Sequence, residues 1–247
     1  MITLFLVWQR HRELKDIEAS PSRWGLFIIL VSLLMLAVGQ VGAERFLTSF
    51  SLLPLIAGLV LYLMGRQFLA RLAFPLILLI FMIPPPAILF NQITVPLQLF
   101  AAGTATSALQ LIGVPVLREG NVITLATQVL EVTEACSGIR SIISLTLLAL
   151  LFSYFTQSSL WKRAVLTVSA VPIAIVANAF RVAGTGFLSH FFTPEAALGF
   201  YHTFSGWLVF VVAFALLLLE GFVLSRFFGE KKESLVTEAK AQEGYAA

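Results

Sequence analysis

Glu134-Ala-Cys-Ser-Gly-Ile-Arg-Ser-Ile-Ile-Ser-Leu-Thr-Leu-Leu-Ala-Leu-Leu-Phe-Ser-Tyr-Phe155 joins the one cysteine of the chain to a long apolar run that begins near Ile142. Lys162-Arg163 follows, and then a second apolar run from Ala164 to Phe180. Apolar runs flanked by Lys and Arg mark membrane spans whose basic loop stays in the cytoplasm. The segment just before Ile142 reads as a helix N-terminus, where backbone N–H groups and the positive end of the dipole favour a thiolate over a thiol. One thiol cannot make an internal disulfide. Two readings of Cys136 therefore compete, a small buried hydrophobe and a nucleophile at a membrane surface.

Composition agrees with the spans. Of the 247 residues 59% are hydrophobic and 12% charged, whereas a soluble domain carries about 25% charged residues. The mean hydropathy is +0.94. The chain is expected to be all-α and polytopic, a bundle of about six to eight transmembrane helices with one short hairpin-like β segment before the cysteine. No Gly/Ser/Pro linker separates two folded units, so residues 1–247 read as a single integral membrane domain. The net charge of +3 reflects cytoplasmic flanks rather than nucleic acid, because no basic patch with interleaved aromatics accompanies it.

Outward toward the N-terminus, residues 1–24 read as a cytoplasmic or partial-helix segment. Met1 to Trp8 is apolar but too short to cross, and its basic cluster Arg10, Arg12 and Lys15 comes after it, the reverse of a signal peptide. Spans are expected from Gly25 to Val41 and, after the turn Gly42-Ala-Glu-Arg45, from Phe46 to Met64. A third run, Leu72 to Ile83, must stop or bend at Pro84-Pro-Pro86, which lack donors and clash with a helical backbone. Alternation then puts the prolines outside. With Cys136 also outside, Ile93 to Val116 must cross an even number of times. Pro96, Gln98, Gly103, Thr104, Gln110 and Pro115 interrupt it, which favours an interfacial amphipathic helix or a shielded re-entrant pair. Gly120 to Thr133, rich in β-branched residues and opened by Glu-Gly-Asn, is expected to be a hairpin that delivers Glu134 and Cys136 to the mouth of the bundle.

Toward the C-terminus, Asn178 and Arg181 are expected to close the span Ala164 to Phe180, and His202 with Ser205-Gly206-Trp207 to open the last one, ending near Leu224. Residues 225–247 form a cytoplasmic tail. A cation in hydrocarbon is costly, so Arg181 is a functional candidate, with snorkelling to the interface as the plain alternative. Histidine can be neutral at pH 7 and accept a thiol proton; His202 has a better setting than His190 because it starts a helix. This topology collects Cys136, Arg181 and His202 at the outer ends of three spans. Packing accounts for the cysteine but not for that company, and the nucleophile reading gains accordingly. A metal site is the weaker rival, without Cys-x-x-Cys or His-Glu-x-x-His spacing; no metal and no cofactor is expected. A transporter, marked by paired ionisable groups near mid-bilayer, is third.

Three blocks carry a family resemblance: Glu134 to Ser141, Pro172-Ile-Ala-Ile-Val-Ala-Asn-Ala-Phe-Arg-Val182, and His202-Thr-Phe-Ser-Gly-Trp207. Upstream, Met82 to Pro86, Pro96-Leu-Gln98, Gly113 to Val116 and Gly120-Asn121 fit the same pattern. In this order, from Met82 to Leu224, they resemble the signature of the exosortase/archaeosortase family of membrane transpeptidases. The resemblance implies a cysteine transpeptidase or protease, facing the periplasm of a bacterial cytoplasmic membrane. It would act on exported proteins that end in a Pro-Glu-Pro motif, a transmembrane helix and a basic tail, pass them to an acceptor, and be linked to exopolysaccharide production. Its roles map onto Cys136 as nucleophile, Arg181 as the charge that steadies thiolate or oxyanion, and His202 as base and then acid. Glu134, Ser137, Gly138, Arg140, Asn178 and Ser205 are the expected supporting or substrate-positioning residues. Family members usually have further spans before the basic loop, and Met1 to Trp8 looks like the end of one. The competing function is a non-catalytic membrane component of polysaccharide export or assembly.

Overall fold

The computed structural model describes residues 2–15, 17–126, 128–133, 137–191 and 200–227. Six of its helices are long and apolar enough to cross a membrane, and a small antiparallel sheet accompanies them. The chain is thus a polytopic helical membrane protein. Its contacts divide it into two compact units, Met1–Ile93 and Thr94–Ala247.

In the first unit, α1 (Ile2–Gln9) and α2 (His11–Lys15) precede α3 (Trp24–Val41), α4 (Arg45–Phe50), α5 (Leu52–Leu63) and α6 (Arg66–Leu78). Two expected spans appear, α3 and the pair α4–α5, which together run Arg45–Leu63. Glu44 starts the second by accepting hydrogen bonds from the Phe46 and Leu47 amides, as an N-cap does. Gly25 and Gly58 let α3 and α5 touch backbone to backbone, because a Cβ on Gly25 would stand 2.4 Å from the Tyr62 nitrogen. Ser32 Oγ donates across the same pair to the Ser51 carbonyl at 2.6 Å. The helix α6 runs into a 3-10 turn, Leu79–Met82, and Ile83 is extended, so the chain leaves helical geometry just before the three prolines.

The middle of the chain corrects an expectation. From Ala87 to Leu111 runs one helix of 25 residues, α7, with the length and hydropathy of a span, in place of an interfacial helix or a re-entrant pair. Its polar residues do not break it. Thr104 Oγ1 donates back to the Phe100 carbonyl at 2.9 Å, and Pro96 sits inside the helix. The alanines explain why such a sequence stays helical. Ala101, Ala102, Ala105 and Leu109 form one buried stripe in a core with Val114, Ile123, Leu125, Val132 and Val182.

The expected hairpin is a three-stranded meander of β1 (Val116–Glu119), β2 (Val122–Leu125) and β3 (Val129–Glu131) in the order β1-β2-β3. The strand β1 lies upstream of the β-branched stretch and escaped the sequence pattern, since only two of its residues, Val116 and Leu117, are apolar. Gly120 takes a left-handed φ of 64° in the tight turn between β1 and β2. Asn121 then clamps the far end of the meander: its Nδ2 donates to the Val132 carbonyl at 3.2 Å, and the Val132 amide donates to its own carbonyl at 2.9 Å.

Three helices complete the second unit: α8 (Ile139–Thr156), α9 (Leu160–Phe191) and α10 (Phe200–Phe227). Leu145, Ala149, Leu166, Ala170, Ala174, Ala213 and Leu217 form their common core. At the loop between α8 and α9, Gln157 Nε2 donates to the Gly221 carbonyl at 3.3 Å and Arg163 Nε to the Gln157 carbonyl at 2.7 Å. Arg163 also stacks over Tyr154, with 5.2 Å to the ring centroid. Glu220, a carboxylate inside the last apolar run that the sequence reading passed over, accepts a 2.6 Å hydrogen bond from Ser169 Oγ. It is held singly rather than in an ion pair among the described residues.

Candidate active site

The helix α9 decides where the candidate residues fall. The sequence reading ended this span at Phe180, but the helix continues to Phe191 and has 32 residues in all. Arg181 is therefore an interior helical residue and not a terminal one. Counted from Leu160 it lies roughly 32 Å along the axis, close to the thickness of a hydrocarbon core. Asn178 stands one turn earlier on the same face, being three residues away.

A small cavity of about 10 Å³, room for about one water, is lined by Ser141 of α8, Asn178 and Arg181 of α9, and Gly206 of α10. Leu145, Ala174, Ala177, Val209, Phe210 and Ala213 close its apolar side. One glycine, Gly138, is required for this closeness, whereas Gly206 leaves room for an ordinary contact. Gly138, the residue before α8, has φ 87°, and a Cβ there would meet Asn178 Cγ at 2.9 Å. A Cβ on Gly206 would stand 3.4 Å from an Arg181 guanidinium nitrogen. Ser137 is buried, and its Oγ accepts from the Ile139 amide at 3.3 Å, turning the chain into α8.

The structure thus brings Ser137-Gly138, Asn178, Arg181 and Gly206 together. Cys136 and Glu134 lie outside the described residues. His202 falls in the first turn of α10, four residues and hence one turn before Gly206 on the same helix face, as Ser205 falls just before it; the side chains of His202 and Ser205 also lie outside the described part. Arg140 is exposed on the first turn of α8 and does not line the cavity. Its neighbour Ser141 does, a residue inside the quoted block whose role the sequence did not separate from that of Arg140. His190 is nine residues beyond Arg181, about 14 Å further along α9 and half a turn round it, where it packs edge-on against Phe191 with 4.9 Å between ring centroids.

The sheet shares a core with α7 and α9. Val132, four residues before Cys136, and Val182, next to Arg181, belong to one buried core. Among the described residues no three His, Cys, Asp or Glu side chains gather in a way that would hold a metal ion.

The family model for transmembrane exosortases matches residues 1–219. The chain belongs to the transmembrane exosortase family. The match extends over the N-terminal segment as well as the stretch from Met82 onward in which the motifs were found. No curated protein and no solved structure matches the chain. An exosortase-family membrane protein that crosses the bilayer several times is what the fold and this match together give.

Proposed function

We propose that this exosortase-family protein is a cysteine transpeptidase or peptidase that cleaves C-terminal sorting signals of exported proteins at the outer face of a bacterial cytoplasmic membrane. The observation that carries the reading is the meeting of three separate sequence blocks at one cavity, with Gly138 against Asn178 and Arg181 against Gly206. In this reading the Cys136 thiolate attacks the scissile carbonyl carbon, and Arg181 stabilises the charge that develops on the carbonyl oxygen. His202 takes the thiol proton and returns it to the leaving amine as the C–N bond breaks. A thioester remains on Cys136, and an acceptor nucleophile or water releases the processed protein. Glu134, Ser137, Asn178 and Ser205 support the reacting groups.

The proposal includes a sidedness, which a count of spans supports. The apolar part of α6 and its 3-10 extension, Leu72 to Met82, covers only about 19 Å, short of the roughly 30 Å of a hydrocarbon core. The reading keeps α6 on the cytoplasmic side and lets α7 cross, with Arg10, Arg66, Lys162-Arg163 and Arg226 inside and the sheet and Cys136 outside; the positive-inside rule and the six candidate spans support it. The prolines 84–86 then lie inside, opposite to the side assigned from the sequence. Trp207 and Phe204 at one end of the bundle, with Tyr154 and Trp161 at the other, fit two interfacial belts. Single cysteines at Ala87, Asn121 and Lys162 in a Cys136→Ala background test it. An impermeant thiol reagent applied to spheroplasts should label only position 121, and labelling at 87 or 162 without 121 would refute the arrangement.

The chemistry is tested by co-expression with a tagged membrane protein bearing a Pro-Glu-Pro motif, an apolar helix and a basic tail. Tail removal that depends on this chain is the expected result, and an unprocessed tail in the presence of the inserted protein overturns the proposal. The same assay separates charge from geometry at Arg181. Lysine reaches the headgroups as well as arginine does, but it lacks the planar fork of donors. Losing one preorganised donor costs about 10²–10³ in rate. Arg181→Lys is therefore expected to insert normally and process at least about tenfold more slowly, with Arg181→Ala slower still. A wild-type initial rate in the lysine variant would reduce Arg181 to a snorkelling cation.

A further inference from the structure

The turn between α8 and α9 gathers positive charge with nothing of its own to balance it. Neither helix contains an Asp or Glu, and the first turn of α9 carries Lys162 and Arg163 at the end where the helix dipole is already positive. Lys162 is 3% exposed, yet among the described residues its ammonium has neither a hydrogen-bond acceptor nor a carboxylate partner. It lies 6.0 Å from the centroid of the Trp161 ring, beside the first turn. Glu220 of α10 is engaged by Ser169, two turns into α9 from Lys162. Arg163 is fixed by the Gln157 carbonyl and the Tyr154 ring, contacts that use Nε and the face of the fork but neither of its Nη groups. The Arg163 amide donates to the Ser159 carbonyl at 3.2 Å. The amides of Leu160 and Lys162 come before that bond and have no helical acceptor.

We infer that this turn seats the phosphate of an anionic phospholipid headgroup, held by Lys162, Arg163 and the first amides of α9. Burying an ammonium without an acceptor is costly unless an anion meets it. A phosphate suits all three kinds of donor at once: a point charge, a planar fork and the amides of a helix N-terminus. The surface beside the seat selects a lipid over a free phosphate. Leu160 is 79% exposed and Phe155 of α8 is 55% exposed, with Trp161 also exposed at the same level, as at a membrane interface. Acyl chains have a place there, whereas a free phosphate gains nothing from it. With the sidedness proposed above, the lipid belongs to the cytoplasmic leaflet. The seat does not depend on the chemistry of Cys136.

The test uses the full chain with Trp161 as its single tryptophan, after Trp8→Phe, Trp24→Phe and Trp207→Phe, in vesicles of phosphatidylcholine and phosphatidylglycerol. Acyl-brominated forms of each lipid quench tryptophan on contact, so their relative quenching gives the lipid preference at this turn. Phosphatidylglycerol is expected to be preferred by about tenfold, the scale of two basic residues at a membrane surface. Lys162→Gln and Arg163→Gln are each expected to reduce that preference severalfold. Arg66→Gln, which removes one charge from the same proposed side of the membrane, should leave it unchanged. Ser159→Asp supplies a carboxylate from within the chain and caps the helix, so it should insert normally and bring the preference to about one. Equal quenching by the two lipids, an equal loss in Arg66→Gln, or an unchanged preference in Ser159→Asp would each overturn the inference. Displacement of the brominated phosphatidylglycerol by millimolar inorganic phosphate would also overturn it, and would assign the seat to a soluble phosphate.

Discussion

Replacing Cys136 by alanine is expected to abolish tail removal, with a loss on the order of 10⁶ in rate, as when a nucleophile is deleted from a cooperating catalytic set. The chain has one cysteine, so no neighbouring thiol can substitute for it. Cys136→Ser sharpens the test. It keeps the size of the side chain and its place ahead of α8 but replaces an intrinsically strong nucleophile with a hydroxyl that is weak without strong base assistance. Both variants should insert at wild-type levels, because Ser137 and Gly138 turn the chain into α8 and Val132 anchors the preceding strand. The measurement is the initial rate of tail removal at matched membrane protein level. Processing that survives in the alanine variant at a tenth of the wild-type rate or more would eliminate the thiol mechanism.

His202→Ala is expected to slow processing by about 10²–10⁴, the usual worth of general acid–base help, whereas His190→Ala should retain most of the wild-type rate. The continuity of α9 is the reason for the contrast. Because the helix does not stop at Phe180, His190 is carried about 14 Å past Arg181 and onto the opposite side of the helix. Position 202 instead stands one turn from Gly206, which lines the same cavity as Arg181. The pH dependence of the rate provides a second readout. The limb that reports the base should vanish in His202→Ala and persist in His190→Ala. Loss of activity in the alanine variant of His190 alone would transfer the base to that residue.

Most of the bundle could be read from the sequence. The runs that became α3, the pair α4–α5, α8 and α10 are continuous and apolar, and hydropathy is a local property that survives without knowledge of neighbours. The halt at Pro84-Pro-Pro86 is equally local, since it follows from missing donors and ring clashes. The quoted blocks that carry the family resemblance were likewise visible, and the match over residues 1–219 agrees with them.

Tertiary structure decided the rest. Ala101, Ala105 and Leu109 hold α7 together as a single span by burying one stripe against the sheet, and no window of the sequence contains that partner surface. The helix α9 continues past Phe180 because Arg181 has a high cost in hydrocarbon only if nothing shelters it. The cavity formed with Asn178, Ser141 and Gly206 gives it a polar setting, so the helix runs on. Ser141 rather than Arg140 faces that cavity because the first turn of α8 fixes which side chain points inward. The sequence by itself determined that the chain crosses a membrane repeatedly and which residues carry reactive groups. Only the fold decided that Val132 and Val182 share one core, because burial of apolar side chains joins residues that are distant along the chain.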